Sequence, residues 1–444
     1  MANNEEFDDK ITDEAVRREY RHKRRVRNQM IAYTVLGVFL VGLIAGGAIL
    51  AGRLMSGMRD KKQAEELQKQ LDELSQAQEE QAVVAAPEES PETAEETNYL
   101  DMIVNTNIAE MPLEDKVAGL FIVTPEALTG TDVVIRAGDT TREKLSERAV
   151  GGLIYFAQNI KDADQLTEML SNTRNWSKYP LFLAVDEEGG TVSRVAESGL
   201  AQNVGNMSDI GSSGDAAKAQ EAGAAIGTYL SGFGFNLDFA PVADVAAEGN
   251  TTIGERSFGS DTNLVAPMVA AAVQGLQSTG VSACLKHFPG LGDTTEDTHE
   301  GMAATDKTLE DFTTVDFPVY QAGIDAGADF IMVSHLSAPN VTGDNTPASL
   351  SGKMINEILR GQLGYQGVVI TDAMNMTAIT DYYTPDQAAV MALEAGADMI
   401  LMPEDFDAAY NGVLEAVNSG TLTEERINES LVRIYRVKYK DRVE

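Results

Sequence analysis

The stretch KHFPGLGDTTEDTH, residues 286–299, follows directly on the apolar run VSACL, residues 281–285. VSACL has the length and residue types of a buried strand, and the glycines and proline after it mark the exit into a loop. That loop segment packs a lysine, two of the chain's four histidines and three acidic residues into fourteen positions. Polar side chains held at a strand's C-terminal end are where α/β enzymes keep their catalysts.

Outward from this stretch, similar apolar runs recur on both sides. GLFIVTP (119–125), GLIYF (152–156), LFLAVDEEGG (181–190) and FNLDFAPVADV (235–245) precede it; ADFIMVSH (328–335), GVVITDAMNM (367–376) and ADMILMP (397–403) follow. Helix-like stretches such as LVAPMVAAAVQGLQSTG fill the intervals, several ending in the glycine expected past a helix C-terminus. Eight strands alternating with helices predict an α/β fold, a (β/α)8 TIM-type barrel over residues 98–444. An open doubly wound sheet is the alternative, but neither a GxGxxG after the first strand nor a P-loop is present. Polar residues gather at the ends of the runs: Asp186, Glu187, Glu188 and Arg194 after the third, Asp238 and Asp244 at the fourth, Lys286 and His287 at the fifth, His335 at the sixth and Asp372 at the seventh. In a barrel these ends converge on one face.

The chain before the barrel has a different character. No charged residue occurs from Asn28 to Gly52, and MIAYTVLGVFLVGLIAGGAILAG (30–52) is long enough to cross a bilayer. The run and the segment before it are both too long for a signal peptide. Seven basic residues against one acid in RREYRHKRRVR (17–27) predict a cytoplasmic N-terminus (1–29) and an outward-facing remainder. Residues 58–83, with Leu67, Leu71 and Leu74 at helical spacing, read as a short stalk helix, and Val84–Thr97 as a disordered acidic linker, within a connecting region 53–97. The net charge of −35 falls beyond residue 29, where 26 basic residues face 62 acidic ones. So acidic a domain argues against nucleic acid and against docking on anionic lipid. The single cysteine, Cys284, excludes an intramolecular disulfide and reads as a small core residue.

Two groupings carry chemistry. A strand-end carboxylate such as Asp372 can act as nucleophile or electrostatic stabiliser, or can simply cap the next helix. Asp297 and His299 form either a proton-transfer dyad, the carboxylate orienting the imidazole, or a salt bridge that holds a loop.

At this point the motifs converge. KHFPGLGDTTEDTH resembles the signature K-H-F-P-G-H-G-(x)-D-[ST]-H of glycoside hydrolase family 3 β-N-acetylglucosaminidases of the NagZ type. DEEGGTVSR, GFNLDFAPVADV, IGERSFG and VVITDAMNM resemble four further motifs of that family, in family order. The resemblance implies a retaining exo-glycosidase on a single barrel, acting on a carbohydrate such as a peptidoglycan fragment, without cofactor or metal. It assigns Asp372 as nucleophile, His299 as acid and then base with Asp297 as its partner, and Asp186, Arg194, Arg256, Lys286 and His287 as holders of the terminal sugar. A histidine then takes the place of the usual second carboxylate. Two positions depart: Leu291 stands for a histidine and Thr191 for an arginine. Three rival expectations accompany this one. They are a phosphorylase on the same fold, a metal-dependent hydrolase using His287, His299 and His335, and a catalytically silent sugar-binding surface protein.

Overall fold

The computed structural model describes residues 91–440 except 248, 295–300 and 302, with side chains from residue 100 onward. The predicted cytoplasmic segment, membrane span and stalk lie outside the described residues. Among the described residues no helix is long and apolar enough to cross a membrane. The first helix, Pro91–Glu110, begins inside the stretch read as linker. Its leading proline suits a first helical position. Tertiary contacts then hold it, since Val104 and Ile108 are buried and Asp101 accepts two bonds from Arg436 at 2.7 and 3.0 Å.

Each of the eight apolar runs supplies a barrel strand. In chain order the strands are β1 (Phe121–Val123), β2 (Gly152–Ile154), β3 (Phe182–Val185), β4 (Glu187–Gly189), β5 (Val192–Ser193), β6 (Leu237–Asp238), β7 (Ser282–Phe288), β8 (Phe330–Val333), β9 (Val368–Ala373) and β10 (Met399–Leu401). β4 and β5 form a small antiparallel hairpin, while the other eight close into a parallel barrel in the order β1, β2, β3, β6, β7, β8, β9, β10. Closure pairs Phe121 with Ile400 and Ile122 with Leu401. Side chains fill the barrel and helices cover it, so the strands bury both faces and read as unbroken apolar runs rather than alternating ones. Cys284 is fully buried in β7, as expected.

The helices start where the sequence offers caps. Asp162, Asp215, Asp261, Asp405 and Thr423 each accept a backbone N–H from the first turn of the helix that follows. Helix Thr262–Gln277 shows how such a helix docks, burying Val265, Met268, Val269, Ala272, Val273 and Leu276 along one stripe. Polar residues at the strands' N-terminal end are structural. Asp398, one residue before β10, is fully buried and accepts bonds from Arg360, Arg433, Ser430 and the Val369 N–H.

Candidate active site

A cavity of about 390 Å³ opens at the C-terminal ends of the strands. Asp186, Arg194, Arg256, Lys286, His287 and Asp372 all line it, so six of the eight predicted site residues converge. The other two, Asp297 and His299, lie outside the described residues. Leu291 forms part of the wall, whereas Thr191 is exposed at the hairpin tip and does not reach the cavity.

The segment after β3 divides its three acids by the alternation of an extended chain. Asp186 and Glu188 face the cavity. Glu187 turns the other way, and its carboxylate accepts the N–H groups of Val195 and Ala196 at 2.7 and 2.9 Å and the Tyr229 hydroxyl at 2.8 Å. It thereby fixes the start of the short helix Arg194–Glu197, and with it Arg194. Burial pushes the Glu187 carboxyl up, and those three bonds offset part of the rise.

Lys286 is the centre of the charged cluster. Its ammonium donates to Asp186 at 2.7 Å and lies 2.6 Å from Glu188. Glu188 also accepts two parallel bonds from Arg256, both at 2.7 Å, the geometry of a bidentate guanidinium–carboxylate pair. Burial alone would raise the Glu188 carboxyl, but the charges and bonds of Lys286 and Arg256 outweigh it and hold it at about 2. Burial disfavours charge on Lys286 as well, and the facing carboxylates reverse that and raise its pKa. Glu188 and Lys286 therefore stay charged across the neutral range. The cluster presents fixed donors and acceptors, as recognition of a polyhydroxy ligand requires.

His287 is oriented from behind. Its Nδ1 lies 2.7 Å from Asp244 Oδ2, so the carboxylate favours the proton on Nδ1 and leaves Nε2 as the other functional nitrogen. Asp244 is fully buried and also accepts the Leu291 N–H at 2.7 Å, coupling the histidine to the loop that follows. The two glycines of that loop are demanded by close approach. A Cβ on Gly292 would stand 1.8 Å from the Val245 carbonyl oxygen, and one on Gly290, at φ +134°, would stand 2.3 Å from Asp316 Oδ1.

Asp372 sits near the end of β9, partly exposed to the cavity, with Oδ1 accepting the Ala373 N–H at 2.8 Å. His335 is fully buried behind it. Its Nδ1 lies 2.8 Å from the Ser349 hydroxyl and its Nε2 3.0 Å from the Ala373 carbonyl. It belongs to the wall beside the pocket. Sequence reasoning placed Asp238 at the same face, yet its buried carboxylate accepts the Glu187 N–H at 2.9 Å and lies behind the cavity wall. Glu188 and Asp244 stand at strand ends in the sequence and belong by that to the same face, but the sequence assigns neither a role in the site. The spacing of Asp186 and Glu188 by two in an extended segment is the available signal for the first, and the pairing of the second with His287 has none.

Residues 112–437 match the glycosyl hydrolase family 3 N terminal domain. The chain belongs to glycosyl hydrolase family 3. Among family relatives, the beta-hexosaminidase A of Pseudoalteromonas piscicida is 34% identical over 328 residues, covering 67% of this chain and 54% of that protein. The chain thus spans about half the length of that relative. The beta-hexosaminidase of Stenotrophomonas maltophilia is 36% identical over 278 residues, covering 61% of this chain and 82% of the relative. A solved family 3 β-N-acetylglucosaminidase from a Paenibacillus species superposes with a TM-score of 0.69 at 36% identity, over 75% of this chain and 63% of that one.

Proposed function

We propose that the chain is an exo-acting, retaining β-N-acetylglucosaminidase, anchored in the membrane through residues 30–52 with its barrel outside the cell. The observation that carries the reading is the convergence of Asp372 with the salt-bridged Asp186–Lys286–Glu188–Arg256 cluster in one sugar-sized cavity. The hexosaminidase names of the relatives support it, and an outward-facing domain makes peptidoglycan-type fragments the natural substrate.

In this reading the Asp372 carboxylate attacks the anomeric carbon while the bond to the leaving oxygen breaks. His299, paired with Asp297, donates its proton to that oxygen. Water then attacks the glycosyl-enzyme, His299 takes a proton from it, and Asp372 departs, giving net retention. Asp186, Arg194, Arg256, Lys286 and His287 bind the terminal sugar through its hydroxyl and N-acetyl groups. Because Glu188 joins Lys286 to Arg256, Lys286 holds Asp186 and Asp244 holds His287 before substrate arrives, little reorganisation of these groups is left for the transition state.

The test is turnover of an aryl β-N-acetylglucosaminide by the full chain and by Asp372→Ala, with and without phosphate, the first-formed anomer being read by NMR. Free sugar of β configuration, lost in Asp372→Ala, is expected. Sugar 1-phosphate as main product with phosphate present would overturn hydrolysis, and an α product would overturn retention. Protease treatment of intact cells tests the topology: a barrel that resists digestion until the cells are lysed would refute outward placement.

A further inference from the structure

The segments on either side of residues 295–302 are fixed by different parts of the barrel. On the N-terminal side, the buried Asn250 amide donates to the carbonyls of Gly292 and Thr294 at 2.9 and 2.8 Å, and Ala247 N–H donates to Gly292 at 2.7 Å. On the C-terminal side, Ser337 N–H donates to Ala303 and Thr305 N–H donates to Ser337, both at 2.9 Å, just beyond β8.

A polar cross-link joins the two flanks. The Lys307 ammonium lies 3.2 Å from Asp293 Oδ1 and 2.8 Å from Asp316 Oδ2, and the Thr305 hydroxyl donates to Asp293 Oδ2 at 2.9 Å. Asp316 is fully buried, and Lys307 is largely so. Both Asp293 oxygens are therefore held by donors from the far flank. Neither Lys307 nor Asp293 lines the cavity. Asp293 precedes, and Thr305 and Lys307 follow, the stretch whose sequence carries Asp297 and His299, and cross-linking two points of a chain lowers the number of conformations open to it.

We infer that Lys307 is a positioning residue for proton transfer to the leaving group, acting through Asp293 and Thr305 on the ends of the acid/base segment. The inference rests on the reading of His299 as acid/base. A misplaced acid slows departure of a poor leaving group and matters little for one that leaves unprotonated.

The experiment measures kcat/KM, which reports the steps through leaving-group departure, for phenyl, 4-nitrophenyl and 2,4-dinitrophenyl β-N-acetylglucosaminides. The full chain is compared with Lys307→Met, Lys307→Arg, Asp293→Asn and His299→Ala. Lys307→Met is expected to lose about 10-fold to 100-fold with the phenyl substrate and less than about 3-fold with the dinitrophenyl one. Asp293→Asn, which keeps the buried Lys307–Asp316 pair, follows the same trend more weakly and carries the test if Lys307→Met does not fold. Lys307→Arg recovers part of the phenyl rate. Equal losses across the series, or none, in Lys307→Met and Asp293→Asn beside a steep His299→Ala series would overturn this inference alone. A flat His299→Ala series would instead overturn the acid/base reading beneath it.

Discussion

Glu188→Gln removes one charge and leaves the side chain's shape. Glu188 is buried, with one oxygen between Lys286 and Arg256 and the other on Arg256. An amide can keep a carbonyl toward one of these donors, but its NH2 then faces the other, and the buried Lys286 and half-buried Arg256 lose their shared anion. The carboxyl is held at about 2 against 4.5 for a free glutamate, which corresponds to roughly 3 kcal/mol in favour of the charged form. A depressed carboxylate contributes stability that is present above the unfolded pKa and is lost as pH falls through the folded one. The wild-type advantage should therefore be about 3 kcal/mol at pH 7, nearly unchanged at pH 5.5, and about 1.4 kcal/mol at pH 3. Urea denaturation of both proteins at these three pH values measures it, through midpoint and slope. A gap at pH 7 below about 0.5 kcal/mol, or one that does not shrink between pH 5.5 and 3, would refute the idea that this ion cluster is held by Glu188.

Three further outcomes follow from the same geometry. Asp244→Asn removes the charged partner of His287 Nδ1 and is expected to lower kcat/KM by about 10-fold to 100-fold, in line with loss of one charge-assisted hydrogen bond; steady-state kinetics at pH 7 decide it. Leu291→His puts an imidazole into a nearly buried apolar position of the wall, so thermal unfolding should show a loss of about 1–2 kcal/mol, and KM should rise with kcat little changed. The Lys438 ammonium lies 4.9 and 4.8 Å from the ring centres of Phe182 and Tyr435, and burial lowers it to about 7. A lowered lysine destabilises the fold wherever the unfolded chain holds the proton and the folded one resists it, so Lys438→Met should gain about 1 kcal/mol at pH 7 after the aromatic faces return part of the cost. That gain should fade as pH rises toward 10.5, which denaturation at pH 7 and 10 tests.

How far the sequence could carry the structure depended on whether a feature is local. A parallel barrel buries its strands on both faces, so each strand leaves an unbroken apolar run, and all eight runs became strands. Strand ends are local too, which is why the sequence alone places Asp186, Lys286, His287 and Asp372 on one face. Glu188 was partly legible, because residues two apart in an extended segment share a face and Asp186 was already assigned. What was not legible is which groups Asp244, Asn250 and Lys307 hold. Each acts on a group 43, 42 or 14 residues away in the chain, His287, Gly292 and Asp293 respectively, and only the closed barrel sets those distances.

The two departures from the family motif show the same division in a sharper form. In the sequence Leu291 and Thr191 looked equivalent, each an unexpected residue inside a recognisable signature. In the fold they are not. Thr191 is exposed at the tip of the β4–β5 hairpin, where a side chain faces solvent and no cavity group depends on it. Leu291 is nearly buried, lines the cavity and is bound through its backbone N–H to the carboxylate that orients His287. Any difference in substrate preference between this chain and its relatives that arises from these two positions therefore enters through Leu291. A Thr191→Arg variant should leave kcat/KM within about 2-fold, the range expected for an exposed substitution, while Leu291→His should change it.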